Sequence, residues 1–314
     1  MLIESSSRIP VFQPAKKTWS CIGAAVLTLA TVVLMAPAQA QAAPGPVSFK
    51  FTAFDYPGST LTAGSAINKS KVIVGSYLDA SGVDHGYARL PNNTFKTIDY
   101  PNSTGTELWG INDKNHAVGF YFDANGAQHG FLFTPPNKFT SIDYPGATLT
   151  IAYGINNSDE IVGTWIDSNG VQSGFALIAG NYVALTYPSS TITLAVGANS
   201  AGLITGIWYD DAGVPHGFVL TAVNGGKYFD IEYPGATQTQ SEKINDKNQL
   251  SGGYVDANGV THGFGADPAK NKYLSVDYPN SIATVTRGIN NADDFAGHYT
   301  DTNGVRHGFL AEPQ

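Results

Sequence analysis

Six repeats of about 44 residues, strand-like patterning with no helical period, and a lone strand at the start balanced by a missing one at the end predict an all-β fold, a six-bladed β-propeller. Asp-Tyr-Pro or a variant ends at Pro57, Pro101, Pro145, Pro188, Pro234 and Pro279, with spacings of 44, 44, 43, 46 and 45. A second mark, usually Ile-Asn, falls at Asn68, Asn112, Asn156, Asn199, Asn245 and Asn290. His-Gly-aromatic starts at His85, His129, His216, His262 and His307, and Ser173 takes the histidine position in the third repeat.

The segment before the repeats reads as a targeting leader. Arg8, Lys16 and Lys17 make a positive start, and Cys21 to Ala36 is an uncharged apolar run. That run is shorter than the roughly 20 residues a membrane span needs. Ala38-Gln39-Ala40 then supplies a small-x-small cleavage site. The expectation is a Sec-type signal peptide over 1–40, a short linker over 41–46 and one propeller domain over 47–314. Export then leads to the periplasm or the outside of the cell. No membrane span is expected in the mature chain, which is read as a monomer.

Within a repeat the order is strand, turn, strand throughout. In the second, Thr104 to Asn112 is a strand ending in an Asn-rich turn, and Val118 to Asp123 is aromatic and β-prone. Asp123-Ala-Asn-Gly126 has the chemistry of a type I turn closed by a left-handed glycine. Gln128 to Phe133 returns, and Phe139 to Tyr144 runs out to a strand-ending proline. Phe49 to Tyr56 is a fourth strand with none before it, and Gly308-Phe309-Leu310 is a third with none after it. Six whole blades therefore require the N-terminal strand to complete the last blade, which leaves fewer exposed edges.

Turn geometry also sets partners across each hairpin. Tyr77 faces His85, Tyr121 faces His129, Trp208 faces His216, Tyr254 faces His262, Tyr299 faces His307, and Trp165 faces Ser173. These are read as packing rungs with imidazole nitrogens bonded to backbone, since metal ligands must converge and these lie one blade apart. Asp79, Asp123, Asp167, Asp210, Asp256 and Asp301 are read as turn residues. A calcium site at them is the weaker reading, because a calcium loop needs more oxygen ligands than Asp-x-Asn-Gly offers. No cofactor is expected. The asparagine of Ile-Asn is read as bonding its own turn.

The order Ile-Asn, then Val-Gly (Val74-Gly75, Val118-Gly119, Val162-Gly163), then His-Gly-Phe resembles the bacterial HAF-type extracellular repeat family. Glycine stands here where that signature has alanine, and Tyr87 replaces one phenylalanine. The resemblance implies export and a repeat fold, and it brings no catalytic residues with it.

A singular site belongs where repeats disagree. Three residues before each asparagine stand Ser65, Trp109, Tyr153, Val196, Glu242 and Arg287, and five before stand residues including Glu107. If the first strand is innermost, Glu107, Trp109, Tyr153, Glu242 and Arg287 gather along the central channel. Lys243 joins them, breaking a position that is otherwise Gly or Ala.

Composition narrows the function classes. Net charge −8 with 17 Lys+Arg argues against nucleic-acid binding, and a single cysteine excludes disulfide frameworks and Cys-based zinc sites. Three readings remain. The first is an exported non-catalytic scaffold binding a protein or cell-surface ligand. The second is a lectin-like module binding saccharides in its between-blade grooves. The third is an enzyme using Glu107 or Glu242 as acid/base and Arg287 as an anion clamp.

Overall fold

The structure is a computed structural model that describes residues 47–314. The leader and linker expected over 1–46 lie outside the described residues. Residues Ser48–Gln314 form one compact unit of 24 strands, numbered β1 to β24 in chain order. They build six four-stranded antiparallel sheets. Blades 1 to 5 span 61–97, 105–142, 149–185, 193–231 and 238–275, each running in order from its inner to its outer strand. Blade 6 joins β22 (Ala283–Ile289), β23 (Phe295–Thr300) and β24 (Arg306–Pro313) to β1 (Phe49–Phe54). Phe49 pairs with Pro313 and Phe54 with Gly308, so the first strand closes the ring as the sequence phase requires.

The sequence explains each hairpin. In blade 2, β7 (Ala117–Phe122) and β8 (Gln128–Thr134) meet across Asp123–Gly126. Gly126 lies at φ 82°, and Asp123 Oδ1 accepts the backbone N–H of Asn125 and Ala127. Those backbone bonds hold the Asp123 carboxyl below its ordinary range. Gly119 is required by close approach, since a Cβ there would sit 1.9 Å from the Glu107 carbonyl oxygen on the next strand.

The core is distributed between the blades. Val74, Leu108 and Phe131 pack in one cluster shared by blades 1 and 2, and Val118, Ala152 and Phe175 repeat the arrangement for blades 2 and 3. The aromatic of each His-Gly-aromatic mark, from Tyr87 and Phe131 to Phe309, is completely buried. Fully burying such a side chain contributes roughly 1.5–3 kcal/mol. A smaller staple also recurs. The backbone N–H of Tyr56, Tyr100, Tyr144, Tyr187, Tyr233 and Tyr278 donates to a buried threonine six residues on. Among the described residues the one helical element is a 3-10 turn at Pro268–Lys270, and no helix is long and apolar enough to cross a membrane.

Candidate functional site

Two regions carry side chains beyond those that build blades, the aromatic rungs and the central axis. Each rung is a stack. Tyr100 lies parallel to Tyr121 with centroids 3.6 Å apart, and Tyr121 is stacked on His129 at 5.2 Å. The expected cross-strand pairs are all present, Trp165 with Ser173 included.

The histidine nitrogens differ from expectation, since carboxylates hold them in place of backbone. His129 Nδ1–H donates to Asp143 Oδ1 at 2.7 Å, and Nε2 faces Asp123 at 3.9 Å. His85, His216, His262 and His307 repeat this with Asp99, Glu232, Asp277 and Asp55. The acid comes from Asp-Tyr-Pro itself. Asp143 reaches back to its own blade's histidine while Tyr144 stacks on Trp165 of the next, so the motif fastens neighbouring blades together. Burial alone would lower His85 and His216. The bonded and facing carboxylates outweigh it and raise both above the ordinary histidine value.

Blade 3 departs from this scheme at three positions together. Ser173 replaces the histidine and Thr186 replaces the acid that would bind it. Ala184 stands where blade 4 has Asp230, the acceptor of the Trp208 indole N–H at 3.1 Å. Tyr144 covers one face of half-buried Trp165 at 4.1 Å, and no imidazole lies against the other. The Trp165 indole N–H has no hydrogen-bond partner.

On the axis, the first strand of every blade carries a β-bulge, and the looped-out residue is the third before the asparagine. Bulging turns Trp109, Tyr153 and Arg287 toward one another. Trp109 meets Tyr153 edge-on at 5.0 Å, and the Arg287 guanidinium lies 4.3 Å over the Trp109 ring. Trp109 Nε1–H donates to Glu107 Oε2 at 3.0 Å. In blade 5 the irregularity takes in both Glu242 and Lys243. Glu242 acts electrostatically on Tyr153 and Lys243.

These residues fill the axis and do not line an open mouth. Trp109, Tyr153, Glu107 and Glu242 are 4%, 2%, 6% and 3% exposed. Burial and the neighbouring Asp84 charge push the Glu107 carboxyl up to about 7, against the opposing pull of Trp109, Arg287 and Arg306. Trp109 thus links the Glu107 carboxyl on one side to the Arg287 guanidinium on the other.

The end of the channel shows what sequence reasoning missed. Each asparagine side-chain oxygen does accept from its own turn, as Asn112 does from Lys114 and His116. Its amide also donates to the carbonyl of the same asparagine one blade on, from Asn68 to Asn112 and around to Asn290, which donates to Asn68. Outside this closed ring, Asn157 Nδ2–H reaches both Asp113 and Asp246. Among the described residues no group of three or more His, Asp or Glu side chains is placed to hold a metal ion.

This geometry defines a six-bladed propeller of the strand-closed kind. No protein-family model and no curated protein sequence matches the chain. Among solved structures it is similar to AofleA from Arthrobotrys oligospora, with a TM-score of 0.52, 11% identity and coverage of 85% of this chain and 90% of that one. It is similar also to the Aleuria aurantia lectin bound to α-methyl-L-fucoside, with a TM-score of 0.51, 11% identity and coverage of 84% and 93%. Both likenesses are of fold.

Proposed function

We propose that this protein is an exported saccharide-binding propeller whose principal contact is the open aromatic rung of blade 3. The observation that carries the reading is Trp165. In the other five blades an imidazole is stacked on the corresponding ring, whereas here that place belongs to a serine. A large aromatic face without its usual cover, beside small polar Ser173 and Thr186, suits the apolar face of a sugar ring with hydroxyls at its edge. The Aleuria lectin, which shares the fold, is solved with a fucoside bound. Export rests on the leader residues and the repeat resemblance.

The test is calorimetric titration with a panel of methyl glycosides, α-methyl-L-fucoside included. Trp165→Ala should weaken binding about tenfold or more, ~1.4 kcal/mol, while Tyr121→Ala in a closed rung should leave affinity unchanged. A protein that binds no glycan, or binds equally well after Trp165→Ala, is not the lectin described here and returns the scaffold reading to the front.

A further inference from the structure

Each asparagine amide in the ring has a second hydrogen to place, and the blades place it in two ways. Asn68, Asn112 and Asn199 give it to the left-handed turn residue of the next blade, Asn115, Asp159 and Asn248. Asn156, Asn245 and Asn290 give it to the residue four on in their own blade, Glu160, Gln249 and Asp294. Where blade 6 meets blade 1 the left-handed residue is Lys71, at φ 58°, and its side chain reaches back across the interface. Its ammonium lies 2.6 Å from Glu312 Oε1 and 3.3 Å from Asp294 Oδ2.

The interface between blades 3 and 4 has the same framework without the lysine. Glu160 stands where blade 6 has Asp294, and its Oε2 accepts the Asn156 amide at 2.6 Å. That amide also donates to the Asn199 carbonyl of blade 4, so the carboxylate is held against the turn that begins at Asn199. The left-handed residue of this turn is Gly202, at φ 80°, which has no side chain to extend. Ile178 stands where blade 6 has Glu312, so hydrocarbon replaces the second acid. Among the described residues no cation pairs with Glu160.

A cavity of about 300 Å³ opens at this place, lined by Glu160, Val162 and Ile178 from blade 3 and by Gly202, Ile204 and Val223 from blade 4. Val223 comes from the connection 221–227, which is longer than its counterparts at 90–94, 135–137, 179–180 and 268–271. Thr221 and Lys227 close that connection at its base through mutual hydrogen bonds. We propose that the cavity binds a small aliphatic primary amine, with the ammonium on the Glu160 carboxylate and the chain along Val162, Ile178, Ile204 and Val223. Lys71 shows the fit in covalent form, a four-carbon stem carrying an ammonium from the same turn position. Against ~30 Å³ for a water, the volume leaves room for a chain longer than that stem. Charge pairing and methylene burial act together here, so neither an alcohol nor bare ammonium should substitute. Glu160 precedes the strand Ile161–Ile166, and Trp165 stands near its other end, so the site does not rest on saccharide binding at the rung.

The experiment is calorimetric titration of the protein with n-hexylamine at neutral pH and constant ionic strength, with 1-hexanol and ammonium chloride as controls. The wild type should bind the amine saturably and bind 1-hexanol at least about tenfold more weakly. Glu160→Gln retains an oxygen for the Asn156 amide and should therefore fold, with amine affinity lowered about tenfold or more. Gly202→Lys rebuilds the Lys71 arrangement at a turn position where other blades already hold left-handed residues with side chains. It should melt at a higher temperature and no longer bind the amine. Absence of saturable binding, equal affinity for either control, or undiminished affinity in Glu160→Gln overturns the proposal, as does amine binding that persists in Gly202→Lys.

Discussion

Glu107 is a buried carboxyl whose surroundings oppose its charge. Its carboxyl titrates near an ordinary 4.5 when unfolded and is pushed up to about 7 in the fold by burial, with Asp84 adding to the effect. The folded state therefore binds this proton more tightly than the unfolded one. The stabilisation is complete below pH 4.5 and disappears as pH rises through 7. At about 1.4 kcal/mol per pH unit the span amounts to on the order of 3 kcal/mol. Glu107→Gln should flatten that part of the profile, as urea unfolding at pH 5 and pH 8 will read. If the two slopes match, Glu107 is not the group responsible. His85 and His216, also raised, lose their contribution in the same direction as pH climbs past their folded values. The turn aspartates run oppositely. Asp79, Asp123 and Asp210 are held low by backbone N–H groups, so they contribute above the ordinary aspartate value and lose that contribution as pH falls.

At the scale of the hairpin and its rung, the three replacements in blade 3 act as a set. Restoring them with Ser173→His, Thr186→Asp and Ala184→Asp should close the rung over Trp165. A charge-assisted bond between the new imidazole and acid should add about 1.5–3 kcal/mol, and glycan binding should fall away. A melting curve and a titration on the same sample separate the two effects. A triple variant that gains stability yet keeps full affinity would place the ligand elsewhere. The cross-strand pairs were legible in the sequence because Asp-x-x-Gly fixes both turn type and register. The partner of the histidine was legible too, in the simultaneous loss of His and Asp from the third repeat, but that coincidence becomes meaningful only once the fourth strand is seen to lie beside the third. Counting back from the asparagines picked out Trp109, Tyr153, Glu242 and Arg287 as the residues that vary. A bulge is what turns them to the axis, and no turn residue announces it. The amide donation between asparagines was hidden for a different reason. Its acceptor lies a whole repeat away, and in a perfect repeat every residue that distant has the same name.

For the molecule as a whole, closure is the decisive contact. β1 supplies Phe49 and Phe51 to the cluster that contains Phe295 and Phe309, and the Gln314 N–H donates to the Ser48 carbonyl at 3.0 Å. Deleting 48–54 would expose β24 as a long unpaired edge and strip those rings from its core. The shortened protein should melt less cooperatively and associate in sedimentation experiments. A permutant that joins Gln314 to Ser48 and opens at the exposed turn before Leu61 should keep the parent's melting behaviour. Loss of stability in the permutant comparable to that in the deletion would mean that chain order, and not strand pairing, secures the ring.

The six asparagine amides all donate in the same rotational sense, and that circulation has an electrostatic consequence. Dipoles laid head to tail along a helix accumulate roughly half a charge at each end. Laid head to tail around a closed circle they have no ends, and their sum vanishes. The clasp that binds the blades therefore carries no net dipole across the plane of the ring. The polarity of the pore is left to residues that differ from blade to blade, such as Asp113, Asp246 and Lys243. A propeller of this kind can change the charge of its channel by single substitutions while the fastening around it stays the same.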